Sequence, residues 1–193
     1  MTSSDSRRPW TLLLMAAAFL VMVTLGIRQS FGLFLLPVTE ALGTGREVFS
    51  LALALQNLLW GIASPFAGAL ADKFGAGRVA AIGTLFYAGG LVVMASFVSP
   101  SGLMMGQLMI GIGLGSAGVS IALGAVARAV APEKRSLALG MVTSIGSFGQ
   151  FAVLPVTQIF IDGYGWQVSL LLLSGLSASM LASCLLMARD EKV

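Results

Sequence analysis

The sequence has no histidine, one cysteine and very little charge. Each shortage closes off a class of protein. Without histidine there is no histidine metal site and no histidine-based catalytic pair. The single cysteine, Cys184, lies in an apolar segment and cannot form an internal disulfide. Only 10% of the 193 residues are charged, where a soluble domain averages about 25%. No Asp or Glu falls in the middle of any apolar run. No nucleophile–base pair or metal cluster is visible. A membrane enzyme is therefore disfavoured, and no cofactor and no nucleic-acid partner are expected.

What is present is apolar: 57% of the residues are hydrophobic. Hydropathy divides the chain into six spans, Trp10–Leu42, Val48–Ala71, Val79–Val98, Leu103–Ala131, Leu137–Ile161 and Gln167–Ala188. The expectation is an all-α membrane protein with residues 1–9 as a cytoplasmic tail, 10–188 as a six-helix bundle and 189–193 as a second tail or the start of a linker. The polar start with Arg7 and Arg8 resembles a signal-peptide head, but the apolar run behind it is too long. Between the spans lie short connections: residues 43–47, 72–78, 99–102, 132–136 and 162–166.

The basic residues set the expected orientation. Arg7, Arg8, Lys73, Arg78, Arg128, Lys134, Arg135, Arg189 and Lys192 fall on one side, and Arg46 alone on the other. That bias places both termini in the cytoplasm and agrees with an even number of spans. The expected location is the inner (plasma) membrane of a bacterium. Trp10 and Trp166 fall near opposite interfaces, whereas Trp60 and Tyr87 fall mid-span and should face protein or a cavity.

Small residues form stripes on the spans. Ser50, Asn57, Gly61, Ser64 and Gly68 share one helix face, as do Gln107, Gly111, Gly115, Gly118 and Ala122. Gly140, Ser144 and Ser147 form a third stripe beside Thr143, Gly146 and Gln150. Such stripes let helices approach closely. The amides Gln56, Asn57, Gln107 and Gln150 need partners away from lipid, either across helices or in a cavity. Leu36-Pro37-Val38-Thr39 recurs as Leu154-Pro155-Val156-Thr157. An inverted duplication of three spans would pair the first span with the fourth, so this match marks no repeat.

One charge stands out. Arg28 is the only full charge between Trp10 and Glu40. A single helix over the first span would be about 45 Å long, with Arg28 ~27 Å from Trp10. A guanidinium at that depth costs roughly 2.5–3.5 kcal/mol on insertion scales and keeps its proton. The bland alternative is a short span from Trp10 to Ile27 with Arg28 at the surface. No turn signal follows Arg28, and Phe31 to Leu36 continues apolar, which favours the buried placement and a functional role.

The stretch Gly68-Ala69-Leu70-Ala71-Asp72-Lys73-Phe74-Gly75-Ala76-Gly77-Arg78 carries a charged, glycine-containing turn. Gly68 permits close helix contact and Gly75 a tight turn. Asp72 can pair with Lys73, Arg78 or a helix N-terminus. This stretch resembles the signature loop of the major facilitator superfamily, G-x-L-x-D-[RK]-x-G-x-[RK]-[RK], with Gly77 in place of the first closing basic residue. Gly26 to Phe34, Lys134 to Gly140 with Gly146 and Gly149, and Gly165-Trp166-Gln167 resemble the monocarboxylate and oxalate/formate branch. Gln167 replaces that branch's arginine. The acidic-glycine motif of animal monocarboxylate carriers and the fourth-helix arginine of many proton-coupled members are absent.

The resemblance implies the N-terminal half of such a fold, six helices in a 3+3 inverted repeat. It implies a secondary transporter, or half-transporter, of small organic anions such as monocarboxylates, working by alternating access as a symporter or antiporter. Arg28 would attract a carboxylate, with Asn57, Gln107 and Ser144 completing the substrate site. Gly68, Asp72, Lys73, Gly75 and Arg78 would form the gating loop. The implied partners are a lipid bilayer, a small anionic substrate and a second six-helix half, of the same chain type or separate. Two alternatives stay open: an exporter of drugs or hydrophobic compounds on the same fold, with Arg28 structural, and a truncated half that does not transport.

Overall fold

The computed structural model describes residues 10–190 and, at its two ends, leaves out the side chains of Trp10, Arg189 and Asp190. The expected tails at 1–9 and 191–193, with Arg7, Arg8 and Lys192, lie outside the described residues, as does the interfacial placing of the Trp10 ring.

Among the described residues, eight α-helices build six spans. The first span is α1 (Trp10–Ser30), a 3₁₀ turn (Phe31–Phe34) and α2 (Leu35–Leu42). The second is α3 (Arg46–Phe74) and the third α4 (Ala76–Ser96). The fourth is α5 (Pro100–Ala117) with α6 (Val119–Ala129), the fifth α7 (Pro132–Tyr164) and the sixth α8 (Trp166–Asp190). All six are long and apolar enough to cross a membrane.

Two spans are less regular than the expected single helices. In the first, tightening to a 3₁₀ turn brings i and i+3 into line. Phe31 and Phe34 thus both point inward, with ring centroids 6.5 Å apart. The fourth span breaks at Gly118, whose backbone is extended. The connections are also shorter than hydropathy suggests. Gly75 and Gly165, at φ +97° and +83°, each stop a helix and turn the chain in one residue. Their N–H groups donate to Ala71 and Ile161 four residues back. Residues 132–136 are not a connection at all, because Pro132 sits at the start of α7, where its missing N–H costs nothing. At the sixth span the helix continues to Asp190, beyond the expected boundary at 188. Ser99 caps α5, its Oγ accepting from the Gly102 N–H at 3.0 Å.

The packing has an internal two-fold pattern. α1 packs along α7, and α3 along α5; α4 contacts both α5 and α8, and α8 contacts α1. Exchanging first with fourth, second with fifth and third with sixth spans maps this set onto itself. Residues correspond at an offset of ninety. Pro65 in α3 matches Pro155 in α7, each nine residues before its helix end. Asp72-Lys73-Phe74-Gly75 matches Asp162-Gly163-Tyr164-Gly165. Close approaches match too: a Cβ on Gly111 would meet the Gln56 carbonyl oxygen at 2.6 Å, and one on Gly146, the counterpart of Gln56, would meet Val21 at 2.5 Å. This is the 3+3 inverted repeat. Leu36–Thr39 and Leu154–Thr157 are not its register.

The small-residue stripes serve two different ends. Gly111 and Gly115 of α5 seat against Gln56, Leu59, Ala63 and Ser64 of α3, and Gly146 and Gly149 of α7 seat against Val21 and Met22 of α1. Gly61, Gly68 and Gly140 face open space, and Ser50, Asn57, Ser144 and Ser147 are exposed. Those stripes are not helix seams within this chain, and the close contact expected at Gly68 is absent. α3 and α7 are the least covered spans, whereas the exposed side of α4 is simply apolar, with Ile82, Leu85, Phe86 and Val92.

Candidate functional site

Arg28 lies in the last turn of α1, just before the 3₁₀ turn. Its backbone is held from behind by a buried polar link. The Tyr87 hydroxyl of α4 donates to the Thr24 carbonyl at 3.3 Å, one turn before Arg28. Thr24 Oγ1 reaches the Ala117 carbonyl, at the break in the fourth span, at 3.4 Å. Tyr87 and Thr24 are both fully buried, so this link fixes α1 against α4 and α5 where the charge emerges.

The Arg28 side chain is half-buried and rests on α3. Its Nη2 donates to Asn57 Oδ1 at 2.9 Å, and its Cζ lies 4.8 Å from the Trp60 ring centre. Asn57 Nδ2 in turn donates to the Leu53 carbonyl at 2.8 Å, which fixes which way the amide points. Trp60 Nε1 comes within 3.8 Å of where a Cβ on Gly118 would stand. The first turn of α6, with no side-chain cap on its N–H groups and a partial positive charge, therefore starts beside the same ring. Both partners of the guanidinium are neutral. Among the described residues no carboxylate pairs with Arg28.

Of the expected substrate-site residues, the structure brings Arg28 and Asn57 together. Gln107 is fully buried in the α3–α5 seam, its Nε2 and Oε1 both without a partner among the described residues; Gln56 Nε2 nearby is in the same state. Ser144 is exposed on α7, and no hydrogen bond joins it to Arg28. Trp60 and Gly118 were missed as members of the site. Trp60 was readable as a mid-span aromatic one turn after Asn57; Gly118 appeared only as one glycine in a stripe.

The residues expected to form a gating loop gather at the basic end of the bundle. Asp72 Oδ1 accepts from Arg128 Nη1 at 3.0 Å. This partner stands 56 positions away on α6, not within the loop as expected. Lys73 Nζ lies 5.3 Å from the Phe74 ring centre, Gly75 makes the turn, and Arg78 is exposed on the first turn of α4. Together with Ala71, Phe74 and Ala188, these residues line a cavity of about 440 Å³.

Six helices of membrane-spanning length in an inverted repeat, with a charged residue beside the break in the first span, define a polytopic membrane protein. The model of the Major Facilitator Superfamily matches residues 8–193, and the chain belongs to that family. It is 31% identical over 176 residues to monocarboxylate transporter 11 of Mus musculus, covering 87% of this chain and 38% of that protein. It is 27% identical over 180 residues to monocarboxylate transporter 13 of Rattus norvegicus, covering 89% and 40%. A shorter match, 33% identical over 105 residues, covers 54% of this chain and 26% of NiaP of Bacillus subtilis (strain 168), a candidate niacin/nicotinamide transporter. The chain thus spans well under half the length of each of these relatives.

Proposed function

We propose that this chain forms one half of a secondary transporter for small organic anions, with carboxylates as the preferred class. The observation that carries this reading is the Arg28 guanidinium, deep in the first span, held by an amide and an indole and balanced by no described carboxylate. At about 4 Å and an effective dielectric near 20, attraction between it and a carboxylate is of order 4 kcal/mol before desolvation. Asn57 spends its amide on Arg28 and Leu53, so its part is to aim the guanidinium. The α6 N-terminus adds positive potential beside Trp60. The names of the two monocarboxylate transporters fit a carboxylate-bearing cargo, as does niacin, though not nicotinamide, in the name of the third relative.

The second half belongs on the uncovered sides of α3 and α7. Asn57, Thr143, Ser144 and Ser147 are exposed there, and such groups suit a water-filled cleft better than lipid. Access alternates as the two bundles rock about the cleft. The basic end, with Lys73, Arg78 and Arg128, faces the cytoplasm, and the Asp72–Arg128 pair closes the gating turn there.

The test is counterflow of labelled formate, lactate and oxalate in membranes holding the protein with its second half. Wild type should exchange at least one of them. Arg28→Ala should lose exchange, and Arg28→Lys should retain a part, since an ammonium keeps the charge but not the planar fork. Equal exchange by wild type and Arg28→Ala ends the role proposed for Arg28, and no exchange of any of the three by wild type refutes the anion reading and leaves the drug-exporter alternative.

A further inference from the structure

The internal repeat supplies a comparison between the two ends of the bundle. The cavity at the basic end is lined by Arg128, Ala188 and the Asp72–Gly75 turn. At an offset of ninety these become Val38, Val98 and the Asp162–Gly165 turn. Val38 and Val98, with Phe97, Leu103 and Trp166, line the corresponding place at the far end. There only about 10 Å³ is left, no more than one water requires. Trp166 fills that space, and its counterpart in the repeat is the small, buried Ala76. The same architectural position is thus packed shut and apolar at one end, and open, with about 440 Å³ and three cations, at the other.

Among the described side chains, the charges at the open end do not cancel: Lys73, Arg78 and Arg128 face one carboxylate, Asp72, which Arg128 already engages. Arg78 makes no ion pair among the described residues, and Lys73 rests against the Phe74 ring. Phe74 is 50% exposed and supplies an apolar wall beside the cations. The cavity stands where α3, α6 and α8 end and α4 begins, at the level at which a membrane-spanning chain meets the headgroup layer. Basic pockets between helices on the cytoplasmic side suit anionic headgroups.

We infer that the cavity bounded by Lys73, Arg78, Arg128 and Phe74 binds a phosphate-bearing anion. The ligand chemistry is a phosphate oxygen set accepting from Arg78 and Lys73, with Arg128 shared between it and Asp72. A phospholipid headgroup and free phosphate both offer that group; Phe74 and the place at the membrane boundary favour the lipid. This site is separate from Arg28. It takes from the proposed function only the sidedness of the basic end, and it fails or survives independently of the cargo.

The experiment uses the full chain extracted from membranes with its bound partners, reconstituted in nanodiscs of phosphatidylcholine with or without phosphatidylglycerol. Lipid retained after mild detergent washing is measured by mass spectrometry, and a parallel arm adds millimolar inorganic phosphate. Phosphatidylglycerol should be retained over phosphatidylcholine. Retention should fall about fivefold for each of Arg78→Gln and Lys73→Gln, following roughly 1 kcal/mol per basic residue near the surface. Both residues are exposed, so neither variant threatens folding. Val168→Gln, at the far-end position matching Arg78, should change nothing. Phosphatidylglycerol retention unaffected by free phosphate assigns the site to lipid. Displacement by millimolar phosphate, lost in Arg78→Gln, assigns it to the free anion. Equal retention of both lipids, with no effect of Arg78→Gln, Lys73→Gln or phosphate, overturns the proposal.

Discussion

Gly149→Ala and Gly61→Ala are the same chemical change at two glycines in matching membrane-spanning helices, yet they should move stability in opposite directions. A Cβ on Gly149 would overlap the Met22 carbonyl of α1 and stand 2.5 Å from Met22 Cγ. The reciprocal site is equally tight: a Cβ on Gly26 would lie 2.8 Å from the Gly149 carbonyl and 2.5 Å from Val153 Cγ2. Ordinary carbon contacts begin near 3.5 Å, so α1 and α7 must move apart by several tenths of an ångström or more along a seam of buried side chains. Overpacking of this kind costs about 1–3 kcal/mol. At Gly61 nothing stands within 4 Å, so no contact opposes the gain in helix propensity, up to about 1 kcal/mol. The two variants should therefore differ by roughly 2–4 kcal/mol. The assay is reversible unfolding of the purified chain in mixed micelles, followed by helical circular dichroism. Equal destabilisation by both would refute the seam assignments. A stable Gly61→Ala variant that nevertheless loses transport would locate the second half against α3.

Three further outcomes follow from the packing. Replacing Gln107 by Met removes two buried amide atoms that have no described partner, and should stabilise the chain by about 1–3 kcal/mol; a loss would mean that water satisfies the amide. Tyr87→Phe removes the hydroxyl bonded to Thr24 and should cost about 0.5–1.5 kcal/mol by the same unfolding assay, with a weaker hold on Arg28 read as reduced anion exchange. Asp72→Asn breaks an exposed pair, so stability should change by about 1 kcal/mol or less, while labelling of cysteines placed at the basic end should rise if the Asp72–Gly75 turn gates access there.

The span count was legible because each run is far longer than a buried soluble helix and is closed by glycine, proline or charge. The prominence of Arg28 was legible for the same reason: a lone charge in apolar sequence is conspicuous, and Asn57 came with it as a mid-span amide. Other features depended on tertiary placement. Arg128 could not be assigned to Asp72 from spacing, since the two meet only when the fourth span packs beside the second. Nor does a glycine stripe say what it faces: Gly111 and Gly146 carry seams, while Gly61 and Gly140 look outward. The inverted repeat was legible only through the family resemblance, since the one conspicuous four-residue match joins the first and fifth spans, which such a repeat does not pair. The matches that define it, Pro65 with Pro155, Asp72 with Asp162 and Gly75 with Gly165, are spread over eleven positions. Gln107 and Ser144 were grouped with Arg28 by residue type, and the structure places one in a sealed seam and the other on an open face.

The central claim is that the Arg28 guanidinium receives the carboxylate of the cargo, and Trp60 beneath it is a built-in reporter. With Trp10 and Trp166 replaced by Phe, the emission of Trp60 can be followed in the protein purified from membranes, with whatever second half it carries, while lactate or its uncharged amide is added. The account predicts a saturable change with lactate, none with the amide, and its loss in Arg28→Ala, with affinity reduced at least tenfold, as a charged hydrogen bond of about 1.5–3 kcal/mol requires. An unchanged emission with every carboxylate tried, or the same titration in Arg28→Ala, would contradict it.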